Sequence, residues 1–498
     1  MCIGDNMNLT KSKYCMGMQC KKLLWLQQNK SEEANYTTDV VFENGNKVGE
    51  LARELFGDYS LICYDDLEKM VDDTKKKLAN KTSIICEASF CYDGNFCAVD
   101  ILKNDDDGVE IYEVKSSTKI HDIYIHDLTY QTWILKKCGI NVKKSFIVYV
   151  NGNYIKNGDI NIQEYFKIED LTNSLYFEGI EERVKEYSNI LQLLIEPDAD
   201  LSMFCHKPYT CPFFSYCTRK LPTPNVFDIG WNTHFDKKIE LYQNGLISYE
   251  EILEHGGISP KADTQMKFSL YNYEIKINKK AIENLLDTLS YPLYFLDFES
   301  FQEAIPTIDG TRPYQQICFQ YSLHYYLKDG GELLHKEYLS DNYLGNPMYG
   351  LCKQLCEDIP KNSCVVVYNQ SFEKTRLTEM ANMFSEFHDH LLNIRDHIVD
   401  LMPPFKNQDY YVKEMGGSAS IKQVLPALFP NDSSLDYHNL DQVHKGDEAS
   451  SAYLSLKNLN MKEQKKLRYN MLKYCELDTY AMVKIWEKLI EVIHTKYY

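Results

Sequence analysis

The chain has 498 residues, 44% apolar and 25% charged, with a formal net charge of −18. That length exceeds one ordinary core and implies two or three domains. The composition is that of a globular protein, while the acidic balance argues against broad, non-specific coating of DNA or RNA. No run is apolar and long enough to span a membrane. The opening residues, MCIGDNMNLTKSKYC, lack the apolar core of a secretory signal. Sixteen cysteines without such a signal point to free thiols or metal ligation rather than disulfides, and to the reducing cytoplasm. The 38 tyrosines suit packing first and base stacking second. Basic clusters such as Lys75–Lys77 read as solvated helix faces.

Three regions follow in chain order: 1–220, mixing strand and helix patterns and closing on a cysteine cluster; 221–289, mostly helical; and 290–498, an α/β pattern. No GxxxxGK[ST] phosphate loop marks a motor domain.

Residues 84 to 115 predict an antiparallel meander with turns at Asp93-Gly94 and at 104–108. Alternation puts Glu113 and Lys115 on one face, and Asp100 can approach them across the hairpin. Two carboxylates and a lysine suit metal-assisted phosphodiester hydrolysis, since hard cations such as Mg²⁺ prefer carboxylate oxygens. Alone, the same E-x-K also describes a surface strand with an i, i+2 ion pair. Farther on, Cys205, Cys211 and Cys217 recur with five residues between neighbours in CHKPYTCPFFSYC, and Pro208 and Pro212 set turns that let thiolates converge. Cys20 is the candidate fourth ligand. Thiolates alone suit zinc as well as an iron–sulfur cluster.

On AVDIL with Asp100, YEVKSS with Glu113 and Lys115, and Gln131 in the following helix, the first region resembles the RecB-like PD-(D/E)xK nucleases. The branch it is most similar to is the iron–sulfur one that includes CRISPR-associated adaptation nucleases, and the match extends from SKYCMGMQCKKLLWL to the cysteine cluster. The resemblance implies a restriction-endonuclease-like domain, a catalytic role for Lys115 and Gln131, and a 4Fe–4S cluster on Cys20, Cys205, Cys211 and Cys217. It also exposes a departure: NGNKVGELARELF offers Gly49 where the family often has a metal-binding histidine, which leaves Glu87 as a substitute ligand.

The third region predicts a strand at 293–301 with Asp297 and Glu299 on one face, then a hairpin turning at Asp329-Gly330-Gly331. The strand SCVVVYN follows, running into a helix with Glu373 in its first turn. A long helix from about Met461 carries Tyr474 and Asp478 one turn apart. Each of these alone is an ordinary strand or helix with solvated acids. Together, FLDFES, YNQSFEKTRL and YCELDTYAM resemble the three motifs of DnaQ-like exonucleases of the RNase H-like fold, called DEDD. The resemblance implies two Mg²⁺ or Mn²⁺ ions held by Asp297, Glu299, Glu373 and Asp478, with Tyr474 orienting water. Glu373 departs from the usual aspartate, and Asp400 matches a commonly acidic supporting position. This region also resembles an uncharacterised bacterial domain family found fused behind RecB-like nucleases.

The expectation is thus an α/β, cytoplasmic nuclease without membrane contact: a PD-(D/E)xK domain, a helical connector and an RNase H-like exonuclease domain. It acts on nucleic acid, DNA in preference to RNA, from strand ends, in genome maintenance or defence by family analogy. Two alternatives stay open. Either one domain is a catalytically silent clamp, or the chain is a scaffold for a protein partner.

Overall fold

The computed structural model describes residues 9–36, 40–231 and 233–495 of a mixed α/β chain that divides into two units. One runs to Leu221 and takes in Glu303–Tyr314; the other comprises Pro222–Gln302 and the chain from Gln315 onward. Among the described residues no helix is long and apolar enough to cross a membrane. Among the described residues fourteen cysteines are free and Cys91 is disulfide-bonded, against the expectation of only free thiols or metal ligands.

The first unit begins β1 (Leu9–Thr10), α1 (Lys11–Gln19), α2 (Lys21–Asn29), α3 (Val40–Ala52), β2 (Ser60–Leu61) and α4 (Leu67–Ala79). It continues β3 (Ile84–Tyr92), β4 (Asn95–Asp105), β5 (Gly108–Lys115), α5 (Asp122–Lys137) and β6 (Val142–Val150). It closes α6 (Ile162–Tyr165), β7 (Phe166–Asp170), α7 (Ile180–Leu191) and α8 (Phe214–Thr218). The sheet order is β2-β3-β4-β5-β6-β7, with β1 paired to β4. β3, β4 and β5 form an antiparallel meander, and β6 lies parallel to β5. A parallel neighbour needs a crossover, which α5 supplies. Both faces are buried, one around Tyr14, Ile111 and Leu128, the other around Val48, Tyr112 and Val148. Ile85 and Ala88 share the first of these faces, as do Val99 and Leu102. Alternation therefore slips by one residue at Glu87 (φ 58°) and at Asp100, a local irregularity of the kind that re-aims a side chain.

Residues 303–314, counted with the third region by sequence, pack into this first unit. Tyr165 donates to the Ala304 carbonyl at 2.9 Å, and Lys156 pairs with Asp309 at 2.5 Å.

The second unit opens with α9 (Phe235–Gln243), α10 (Tyr249–His255), α11 (Pro260–Tyr271), β8 (Lys276–Ile277) and α12 (Lys279–Leu286). Then come β9 (Leu293–Phe301), β10 (Ile317–Tyr326), β11 (Leu334–Leu339), α13 (Met348–Asp358), β12 (Cys364–Val367) and α14 (Ser371–Met383). α15 (His388–Asp396), β13 (Ile398–Asp400), α16 (Pro403–Lys406), β14 (Tyr410–Tyr411), α17 (Ile421–Leu428), α18 (Gly446–Ser455) and α19 (Met461–His494) complete it. The sheet runs β11-β10-β9-β12-β13: β9 to β11 are antiparallel, while β12 and β13 lie parallel to β9. α19 packs across β9 and β10, with the Gln320 amide donating to the Met471 carbonyl at 2.9 Å.

The helical stretch 221–289, expected as a separate connector, belongs from Pro222 onward to this unit. It has an apolar cluster around Ile229, Tyr249 and Met266, yet β8 pairs with β14 and Trp231 stacks edge-on against Tyr411. A Cβ added at Gly230 would lie 1.8 Å from the Gly417 carbonyl oxygen, so only glycine permits this backbone approach. Gly230→Ala is expected to destabilise the unit by about 3 kcal/mol, seen as a fall of about 6–12 °C in its melting transition. An unchanged transition would mean the two backbones separate freely.

Candidate functional site

In the second unit β9 presents Asp297 and Glu299 on one face, opposite Ser322 and Gln320 of β10. α14 starts directly after β12 and buries Glu373 in its first turn, while α19 buries Tyr474 and Asp478 one turn apart. Ligand atoms of Asp297, Glu299 and Cys475 lie within 4.8 Å of one another. Burial first, then Asp478, Glu299 and Glu373, hold the Asp297 carboxyl well above its ordinary range. Burial and Asp478 do the same to Glu299. Asp478 accepts from Tyr437 Oη at 2.7 Å, and Lys422 Nζ donates to Tyr474 Oη at 3.3 Å. Glu373 Oε2 is buried with no hydrogen-bond partner, a costly state for a carboxylate unless a cation meets it.

Motif reading picked out Asp297, Glu299, Glu373, Tyr474 and Asp478 but not Cys475, Lys422 or Tyr437. Cys475 lies between two motif residues, with Sγ 3.9 Å from Asp297 Oδ2. Lys422 and Tyr437 lie outside the three motifs, and only folding brings them here. Asp400 accepts from the backbone N–H groups of Asn369 (2.9 Å), Gln370 (3.3 Å) and Met402 (2.9 Å). It fixes the turn from β12 into α14, where Asn369 has φ 72°, and so positions Glu373. Asp297 and Glu299 share ligand distance with Cys475, while Glu373 and Asp478 act on Asp297 electrostatically; carboxylate oxygens are donors that hard divalent cations prefer.

These carboxyls set a pH dependence. Burial pushes Asp478 up to about 6 and Glu373 up to about 8. Folded values above unfolded ones mean that their stabilising protonation is complete below the unfolded pKa and lost as pH rises through the folded pKa. In chelator, the second unit's melting temperature is expected to fall between about pH 5 and about pH 8.5, and Mn²⁺ to flatten that slope. Glu373→Gln removes the upper part of the fall. A melting temperature that rises over this window would contradict the acid cluster.

In the first unit Asp100, Glu113, Lys115 and Gln131 converge, joined by Lys11 and Asp127, which motif reading missed. Asp100 Oδ2 accepts from the Val114 N–H at 2.7 Å. Lys115 Nζ lies 2.7 Å from Glu113 Oε1 and 2.6 Å from Asp127 Oδ2. The Gln131 amide donates to Glu113 at 2.7 Å and to Asp127 at 2.9 Å. Burial pushes Asp100 up to about 7, with Glu113 adding to it, whereas Lys11 and Lys115 overcome burial at Glu113 and hold it low. Glu87 pairs with Arg53 at 3.3 Å. A Cβ at Gly49 would meet nothing within 4 Å. Lys115 and Asp127 also line a cavity of about 440 Å³ with Tyr124 and Tyr209.

Cys20, Cys205, Cys211 and Cys217 line a single small cavity. Cys20 is positioned by the junction of α1 and α2, and the Cys211 N–H donates to the Cys205 carbonyl at 2.9 Å. Burial raises the Cys211 thiol to about 12, with the other three thiols acting in the same direction. Four thiols around one cavity are a donor set that suits zinc as well as an iron–sulfur cluster.

Residues 294–420 match a family described as a domain of unknown function (DUF2779). The match holds Asp297, Glu299, Glu373 and Asp400 and ends before Tyr474 and Asp478. The uncharacterised protein MG366 of Mycoplasma genitalium is 32% identical over 221 residues, 41% of this chain and 32% of that protein. Its homologue in Mycoplasma pneumoniae is 30% identical over 208 residues, 38% of this chain and 31% of that protein. The uncharacterised protein UU173 of Ureaplasma parvum is 27% identical over 242 residues, 44% of this chain and 34% of that protein. The chain thus matches about a third of each relative's length.

Proposed function

We propose that this chain is a divalent-metal-dependent nuclease whose second unit is a DEDD-type exonuclease of RNase H-like fold. The observation that carries this reading is the half-buried Asp297 among the buried Glu299, Glu373 and Asp478, with one Glu373 oxygen left unpaired. Mg²⁺ or Mn²⁺ bound there would polarise the phosphodiester and lower the pKa of the attacking water. The chain's own residues do the rest. Asp297, Glu299, Glu373 and Asp478 supply the oxygen donors. Tyr474, tied to Lys422, orients the water, and Tyr437 holds the Asp478 carboxylate. Lys422, Tyr437 and Lys445 line a cleft of about 870 Å³ suited to the end of a strand, with cations for phosphates and rings for bases. The sheet order, three antiparallel strands followed by two parallel ones with α19 across them, supports the RNase H-like assignment.

For the first unit, the meander, the α5 crossover and the Asp100, Glu113, Lys115 and Gln131 group support a RecB-like PD-(D/E)xK domain, with a 4Fe–4S cluster on the four thiols. A second reading, in which this unit grips nucleic acid without cutting it, is favoured by Lys11 lying directly on Asp100 and Glu113. DNA is the proposed substrate and the cytoplasm the proposed compartment.

The test is a panel of single- and double-stranded DNA and RNA, each labelled at either end, with Mg²⁺, Mn²⁺ or chelator. Metal-dependent shortening from one end of DNA is expected. No cleavage of any substrate would leave the scaffold alternative.

A further inference from the structure

The two acidic groups differ in how their charge is balanced. In the second unit four carboxylates have two cations, Lys422 and the Arg376 guanidinium beside Glu373, among the groups acting on them. In the first unit three carboxylates, Asp100, Glu113 and Asp127, meet two ammoniums, Lys11 and Lys115. Lys115 is bound to Glu113 and Asp127. Lys11 Nζ sits 3.1 Å from Asp100 Oδ1 and 3.1 Å from both oxygens of Glu113. It bridges the two carboxylates that would hold a divalent ion at this site.

Its position is built into the fold. β1 pairs with β4, the strand that carries Asp100, and Thr10 Oγ1 caps α1 by accepting from the Lys13 N–H at 3.3 Å. The first residue of α1 is thereby set over Asp100. The side chain is nevertheless 25% exposed, against 2% for Glu113, so its flexible stem can swing outward.

We propose that Lys11 is the resident counter-cation of the first site, occupying the place between Asp100 and Glu113 so that a divalent ion enters only when Lys11 leaves. A phosphodiester is the group able to draw it away, because a phosphate oxygen offers the ammonium a replacement for the carboxylates. Metal loading of this site is then coupled to nucleic-acid binding. The inference deepens the nuclease reading of the first unit but concerns occupancy, not cleavage.

The experiment counts bound Mn²⁺, by calorimetry and by the spin-resonance signal of the free ion, on the full-length protein, Lys11→Gln, Lys11→Arg and the double variant Lys11→Gln/Glu113→Gln. Lys11→Gln is expected to gain one Mn²⁺ per chain, bound about 10-fold or more tighter than at any first-unit site of the parent. Lys11→Arg, which keeps the charge, and the double variant gain none. If Lys11→Gln folds poorly without metal because its carboxylates repel, millimolar Mn²⁺ restores its melting temperature more than the parent's, which equally supports the proposal. Equal Mn²⁺ number and affinity in parent and Lys11→Gln overturns it. A variant that gains the ion yet cuts nothing leaves the proposal standing and removes the nuclease reading of the first unit.

Discussion

Asp297→Asn is expected to lower metal-dependent end-trimming by about 10³-fold or more, since a carboxylate that would hold the metal underpins several kcal/mol of charge stabilisation. Glu373→Gln is expected to match it, because Glu373 Oε2 is the buried acceptor left without a partner. Rates on end-labelled strands measure both. Misfolding is readily told apart from loss of chemistry. Asp478, Glu299 and Glu373 all raise the Asp297 carboxyl, so removing its charge relieves repulsion, and the variant in chelator melts no lower than the parent at pH 8. Lys115→Ala provides the opposite arm: it lies in the other unit and leaves end-trimming intact. Persistent trimming in Asp297→Asn would mean the acid cluster is misassigned. Loss of all cleavage in Lys115→Ala would mean that the two sites do not act independently.

The anaerobically purified protein is expected to be brown, and Cys211→Ser to abolish that colour and to destabilise the first unit by on the order of 3–5 kcal/mol, as ligand loss removes metal-linked folding energy. Its transition falls by about 10 °C or more, while the second unit's transition stays in place. Leu23 and Leu26 of α2 line the thiol cavity, and Cys20, Cys211 and Cys217 pack against the apolar cluster these form with Trp25, Phe213 and Tyr216, so the damage extends to α2. A colourless protein with stoichiometric zinc would defeat the iron–sulfur assignment and keep the four-thiol site.

How far the site could be read in advance depended on the range of the interactions involved. The meander at 84–115, the pair Asp297 and Glu299, and the pair Tyr474 and Asp478 follow from period 2 in strands and 3.6 in helices, which act over a few residues. Cys205, Cys211 and Cys217 were legible for the same reason, being close neighbours in the chain. Lys11 and Asp100 are 89 positions apart, and Lys422 and Tyr474 are 52 apart. No local periodicity encodes such pairs, which arise when β1 docks on β4 and when α17 packs onto α19. The same limit hid the packing of 303–314 into the first unit, which rests on Tyr165, Lys156 and one loop. Region 221–289 showed its helices through composition but not its allegiance, because a backbone approach such as that of Gly230 to Gly417 leaves only two glycines in the chain. Local chemistry chose the elements and most of the acids. Long-range packing chose which charges face them, and hence which of the two acidic groups is short of a cation.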